Sequence, residues 1–238
     1  MTDCLSTSTG LAPSRHDNPF ATCWTRPGAL AFRFADATTI EQLVAKLAGQ
    51  NWEGEILGPH GSGKSTLLEG LKPALRAAGC RIHAITLRAG QQRLTVLSST
   101  VAGLFEAGIP ASPGSQTPAT GFDTAPQRAL MVIDGYEQLG WFERWRLKHR
   151  CRRMGAGLLV TSHAPTGLPT LIRLVPDRWL IERLVADLGA NIPIKVTRAD
   201  IAASHACHGS NVREIFFDLY DRHERRRRVE RTCRPGKA

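Results

Sequence analysis

The stretch Gly58-Pro59-His60-Gly61-Ser62-Gly63-Lys64-Ser65 decides how this chain is read, because it fits G-x-x-x-x-G-K-[ST] at every position. A short strand, Glu55-Ile56-Leu57, precedes it, and an amphipathic helix from Lys64 to about Ala78 follows, ended by Gly79. Glycines let the backbone curl until consecutive N–H groups converge on phosphate oxygens, and the helix N-terminus adds partial positive charge. The spacing therefore predicts a phosphate cradle built from Gly58 to Thr66: Gly58, Pro59, His60, Gly61, Ser62, Gly63, Lys64, Ser65 and Thr66. Lys64 reaches the β- and γ-phosphates in such a loop, and the Ser65 hydroxyl ligates Mg²⁺. No N-K-x-D guanine motif is present, so the expected ligands are ATP and Mg²⁺.

A phosphate cradle of this kind needs a carboxylate at the end of a neighbouring strand to hold the metal. Asp134 ends the continuous apolar run Ala129-Leu130-Met131-Val132-Ile133, the signature of a strand buried on both faces of a parallel sheet. Gly135 follows it, where many ATPases carry the glutamate that polarises the attacking water. Glu137 is the nearest substitute, with a solvated carboxylate at a helix start as the plain alternative. One strand, Arg81 to Leu87, lies between the two motifs, which places the Asp134 strand away from the cradle strand. The next strand, Gly157 to Thr161, ends in Thr161-Ser162-His163. Thr161 or Ser162 is a candidate to face the γ-phosphate, although polar residues also end strands for structural reasons.

Further elements complete an alternation of strands and helices. A helix capped by Thr38 or Thr39 carries Ile40, Leu43, Val44 and Leu47 on one face. Residues 91–107 read as a helix, 108–127 as a surface loop with four Pro and three Gly, and Thr170 to Val175 as a fifth strand. Helices over about 177–188, 198–207 and 211–228 finish the chain. The expected fold is three-layer α/β, with a parallel sheet of about five strands and a small C-terminal helical lid. Residues 1–19 read as a disordered leader, 20–175 as the nucleotide-binding domain with an extended docking piece over 20–35, 176–228 as the lid and 229–238 as a basic tail.

The strings GPHGSGKST, VIDGYEQL and LLVTSHAP, in that order, resemble the P-loop, Walker B and sensor-1 strands of AAA+ and related STAND ATPases, in the additional-strand division of P-loop NTPases. The run Asp134-Gly135-Tyr136-Glu137 is similar to the D-G-x-[DE] Walker B of the NACHT branch. His163 stands where that branch has the arginine of T-S-R. The segment Gly209-Ser210-Asn211-Val212-Arg213 resembles the lid-helix start that carries a sensor-2 arginine. The resemblance implies catalytic roles for Lys64, Glu137, Thr161, Ser162 and Arg213, metal ligation by Ser65 and Asp134, and an ATPase that acts as a switch or remodelling module. A small-molecule kinase and a nucleotide-binding scaffold without turnover are the competing readings.

The net charge of +10 is concentrated in two segments. Residues 141–155 carry a net +5 and 222–238 a net +6, leaving −1 for the rest of the chain. Arg144, Lys148 and Arg152 form one helical stripe and Arg146, Arg150 and Arg153 an adjacent one, while Trp141 and Trp145 are expected to pack on the sheet. Nucleic acid or an acidic protein is the partner class such segments suit, and a composite ATP site would imply a homo-oligomer. No apolar run reaches the ~20 residues that span a bilayer, and residues 1–20 show no secretory signal, so a cytoplasmic protein with no membrane partner is expected. The six scattered cysteines read as reduced thiols, and His205, Cys207 and His208 as ordinary helix residues rather than a metal site.

Overall fold

In the computed structural model the described residues are 18–87, 128–189 and 195–232. In chain order they form α1 (Thr22–Thr25), α2 (Ile40–Gly49), β1 (Glu53–Leu57), α3 (Lys64–Ala77), β2 (Cys80–Thr86), β3 (Arg128–Asp134), a 3₁₀ turn (Tyr136–Gln138), α4 (Trp141–Arg153), β4 (Gly157–Ser162), β5 (Thr170–Arg173), α5 (Arg178–Leu188), α6 (Arg198–His208) and α7 (Val212–Thr232). The helix expected over 91–107 and the loop over 108–127 lie outside the described residues.

All strand pairings are parallel, and the order across the sheet is β2-β3-β4-β1-β5. Strand β4 therefore separates β1, which feeds the glycine-rich loop, from β3, which ends in Asp134. This is the separation that the single strand between the two motifs leads one to expect. Leu57 pairs with Ser162 and Ile133 with Val160, so Asp134 ends level with Thr161. The carboxyl ends of the three central strands thus open onto one edge.

Alternation along the strands explains the apolar runs. Leu130, Val132, Leu159 and Ile56 face α2 and α3 through Leu43, Leu47, Leu67, Leu71 and Leu75. Met131, Ile133, Leu158 and Val160 face the other way, onto Leu147 and Cys151 of α4 and onto Tyr136 and Leu139. Both faces are covered, which is why the β3 and β4 sequences carry no polar alternation. Thr39 caps α2 through a reciprocal pair with Gln42.

A third apolar cluster makes the lid: Leu180, Ile181, Leu184 and Leu188 of α5, Ile201 of α6, and Ile215, Phe216 and Leu219 of α7. Phe20 joins it, fully buried against Phe216 at a ring separation of 6.1 Å.

Three expectations are corrected. The 20–35 segment contains a turn of helix at Thr22–Thr25, and its ends go to different cores: Phe20 packs in the lid, whereas Phe32 and Phe34 pack on the α2–α3 face. Helix α7 runs four residues beyond Arg228, to Thr232. Trp141 and Trp145 do not pack on the sheet; they are 80% and 58% exposed. At 100° per residue Trp145 lies ~160° around α4 from Leu147, which is the residue turned to the sheet.

Candidate nucleotide-binding site

The loop between β1 and α3 has the backbone its glycines predict. Gly61 and Gly63 hold φ of 68° and 90°, in the left-handed region. Gly61 also allows a close approach: a β-carbon there would stand 1.8 Å from Asn211 Oδ1. Asn211 caps α7, accepting from Glu214 N at 3.3 Å, so the start of the lid helix rests directly on the loop. Gly63 occupies the cap position of α3 and offers no side chain to its first-turn N–H groups, which suits an anion at that end.

Lys64 is buried with its Nζ donating to Gly58 O and Pro59 O, each at 2.7 Å, and lying 3.1 Å from His163 Nδ1. Burial works against its charge, opposed by the carboxylates of Glu137 and Asp134, while Arg213 adds to the push downward. Four sequence-predicted residues, Lys64, Asp134, Glu137 and Arg213, are therefore electrostatic neighbours. His163 Nε2 lies 2.8 Å from Glu137 Oε1, and its ring lies against that of His60 at 3.6 Å between centroids. Desolvation holds the His60 imidazole below its ordinary pKa, with His163 and Lys64 acting in the same direction.

At the end of β3, Thr161 Oγ1 donates to Asp134 Oδ1 at 2.6 Å and accepts from Gly135 N at 2.9 Å. Thr161 thus orients the carboxylate and closes the turn after it. Ser162 turns away, donating to Ala164 O at 2.7 Å. The oxygens of Ser65 and Asp134 are hard donors of the kind Mg²⁺ takes.

A cavity of about 490 Å³ opens from the loop toward the lid. Gly61 to Thr66 form its floor, Leu30, Ala31 and Phe32 one wall, Leu180 and Leu184 of α5 another, and Val212, Arg213 and Phe216 of α7 its roof. The mixture of a phosphate-type floor and apolar walls fits a ligand with an anionic tail and a flat hydrophobic head.

The basic segments are partly absorbed by the fold. Arg144 donates to Leu139 O and Glu137 O at 2.7 and 2.8 Å and lies over the Tyr136 ring. Lys148 reaches Gly167 O, and Arg152 makes a two-pronged bond to Glu53 that holds the Glu53 carboxyl below its usual range. One whole stripe of α4 thus serves packing. On α7, Arg222 and Arg226 converge on Asp200, and Arg226 also reaches Lys195 O. The other stripe of α4, with Arg146 and Arg153, faces outward beside Trp141, Phe142 and Trp145, whose rings neighbour one another at 6.0 and 6.1 Å.

Sequence reasoning passed over His163 as a site residue, noting it only as a departure from T-S-R. It also missed the wall made by residues 30–32. Its signal was the run Thr161-Ser162-His163 at a strand end, which puts an imidazole where the strands open. His205, Cys207 and His208 stand on α6, and no group of three or more His, Cys, Asp or Glu that could hold a metal occurs among the described residues. Cys23, Cys80, Cys151 and Cys207 are free thiols, and burial pushes Cys151 up to about 11. No described helix is long and apolar enough to cross a membrane.

No family model matches the sequence, and no curated protein matches it. Among solved structures, the chain is similar to AMPPCP-bound DnaA from Aquifex aeolicus, at 13% identity and a TM-score of 0.47, over 86% of this chain and 68% of that one. It is also similar to a DNA replication initiation factor, at 13% identity and a TM-score of 0.45, over 81% of this chain and 64% of that one.

Proposed function

We propose that the chain binds Mg-ATP and hydrolyses it slowly, serving as a nucleotide-controlled switch or remodelling module of the AAA+/STAND type. The observation that carries this reading is the glycine loop that runs from β1 into α3 with Lys64 at the helix start, in a sheet whose order puts β4 between the cradle strand and the Asp134 strand. The loop N–H groups and Lys64 bind the phosphates, and the cavity between residues 30–32 and the lid takes the base. Ser65 and Asp134 are the residues that would hold Mg²⁺, which supplies charge neutralisation on the phosphates when bound. Thr161 keeps Asp134 aligned, and Arg213 reaches the γ-phosphate from the lid. Glu137 accepts the proton of the attacking water. Turnover is slow because that carboxylate sits three residues beyond Asp134 instead of next to it.

A polyanionic partner, nucleic acid before acidic protein, meets the outward stripe of α4. Its start is joined to the Asp134 strand by the Tyr136–Gln138 turn, so nucleotide state and partner affinity are coupled. Calorimetric titration with ATP and ADP, with phosphate release followed with and without nucleic acid, tests the proposal. The oligomeric state is read in the same samples. Lys64→Ala should abolish binding or turnover. Phosphate release without any acceptor separates an ATPase from a kinase, and tight binding with no release identifies a scaffold. Absence of ATP binding by the native protein would end the reading.

A further inference from the structure

The Lys64 ammonium has three protons and three acceptors: Gly58 O at 2.7 Å, Pro59 O at 2.7 Å and His163 Nδ1 at 3.1 Å. Its donors are saturated by the chain itself. An ammonium can bond Nδ1 only if that nitrogen presents a lone pair, so the ring proton sits on Nε2. Nε2–H then donates to Glu137 Oε1 at 2.8 Å. Gly58 O, 3.1 Å from Nδ1, is a second acceptor facing the same ammonium rather than a partner of the ring. The tautomer is therefore set by the two neighbours together. One imidazole joins the group that must meet the phosphates to the carboxylate that must meet the water.

The ring is also held in place. It lies against His60 at 3.6 Å and 37°, and His60 belongs to the cradle itself. Glu137 is held from its other side by its main chain, whose carbonyl accepts from Arg144. Its Oε2 is buried with no hydrogen-bond partner among the described residues. That oxygen is left to act while Oε1 is tethered.

We infer that His163 is a positioning residue which keeps Lys64 off the phosphates until nucleotide arrives and keeps Glu137 oriented afterwards. The inference rests on the ATPase reading above. Nucleotide must take Lys64 from His163, which opposes binding. The Nε2–Glu137 bond persists once Lys64 has moved, which favours turnover. One side chain thus acts in opposite directions on affinity and on rate, a split that a merely structural role does not produce.

The experiment compares native protein, His163→Ala and His163→Gln, each checked for folding by thermal melting. In His163→Ala, ADP should bind several-fold more tightly by calorimetry, about the effect of one hydrogen bond removed from Lys64. Its kcat should fall at least ~tenfold because Glu137 loses its orienting donor. His163→Gln, whose amide can donate to Glu137, should recover much of kcat. Nitrogen NMR of the native ring should show Nε2 protonated and Nδ1 bare without nucleotide, with the Nδ1 signal shifting on ADP addition. Unchanged kcat in His163→Ala, or ADP affinity and kcat weakened together in both variants, would overturn the inference. So would a ring protonated on Nδ1. Failure of the ATPase reading is distinct, since the native protein would then bind no ATP or release no phosphate.

Discussion

The carbonyl oxygen of Leu87 stands 2.9 Å from where a β-carbon would sit on Gly135. Leu87 N donates to Asp134 O at 2.8 Å, so the chain leaving β2 closes directly over the turn that follows Asp134. Gly135 itself has a φ of 85°. Two independent reasons, backbone conformation and space, therefore exclude a side chain immediately after Asp134. The acidic group has to come from further along, and the 3₁₀ turn delivers Glu137.

Placing a glutamate at position 135 should accordingly fail to improve catalysis. Gly135→Glu forces a left-handed backbone on a residue with a β-carbon and pushes Leu87 away, at a cost of about 1–3 kcal/mol. Thermal melting should show the loss, and phosphate release should not rise. A variant as stable as the native protein and faster in turnover would contradict this account.

Thr161 and Ser162 are adjacent and equally buried, yet substitution should separate them. Thr161→Val keeps the shape but removes the donor to Asp134 and leaves Gly135 N without its acceptor. About 1–3 kcal/mol of stability should be lost, and the Mg²⁺ concentration needed for turnover should rise. Ser162→Ala removes a local bond to Ala164 O and should leave Mg²⁺ dependence unchanged. Denaturant melts and Mg²⁺ titrations of the two variants make the comparison. Equal Mg²⁺ behaviour would deny Thr161 its role.

The difference between those neighbours shows what the sequence could convey. Strands buried on both faces announce themselves, and Leu130-Met131-Val132-Ile133 could be little else; the glycine loop and Asp134 follow from the same continuity. The phase of α4 was not legible in that way. Its aromatic and basic residues repeat at helical spacing, and only the folded contacts show that Arg144 and Arg152 are bonded to neighbouring elements while Trp145 faces outward. A charge run hides its internal partners for the same reason: Asp200 lies 26 residues before Arg226. His163 showed only its place at a strand end, and its meaning depends on Glu137 and Lys64 arriving from two other elements.

Asp200 should make the lid acid-sensitive. The Arg226 guanidinium bonded to it, helped by Thr197, holds its carboxyl well below the usual carboxylate range despite partial burial. A depressed folded pKa contributes stability that is complete above the unfolded value, ~3.9, and is lost as pH falls through that value toward the folded one. Asp200 is also the reciprocal partner of Thr197 in the capping box of α6. Asp200→Asn should lower stability at pH 7 by about 1–2 kcal/mol, and the gap from the native protein should narrow at pH 3. Urea denaturation at the two pH values reads it. A gap that widens in acid would reverse the assignment.

The role of Arg226 also determines which basic residues can test a polyanion partner. Deleting the end of α7 would remove Arg226 from Asp200 and loosen the lid, so lost binding would not distinguish a contact from a damaged fold. Arg146 and Arg153 lie on the outward stripe of α4, and Arg146 meets Glu143 at 3.7 Å. Reversing both charges should leave the melting temperature nearly unchanged, as exposed pairs contribute little. Single-stranded oligonucleotide binding at low salt should weaken at least ~tenfold, and the salt slope should fall by about 1.4, the release expected from two lost phosphate contacts. Trp145→Ala should weaken the same binding without altering that slope, since stacking releases no counterions. Oligonucleotide affinity and slope that survive all three substitutions would remove α4 as the contact surface.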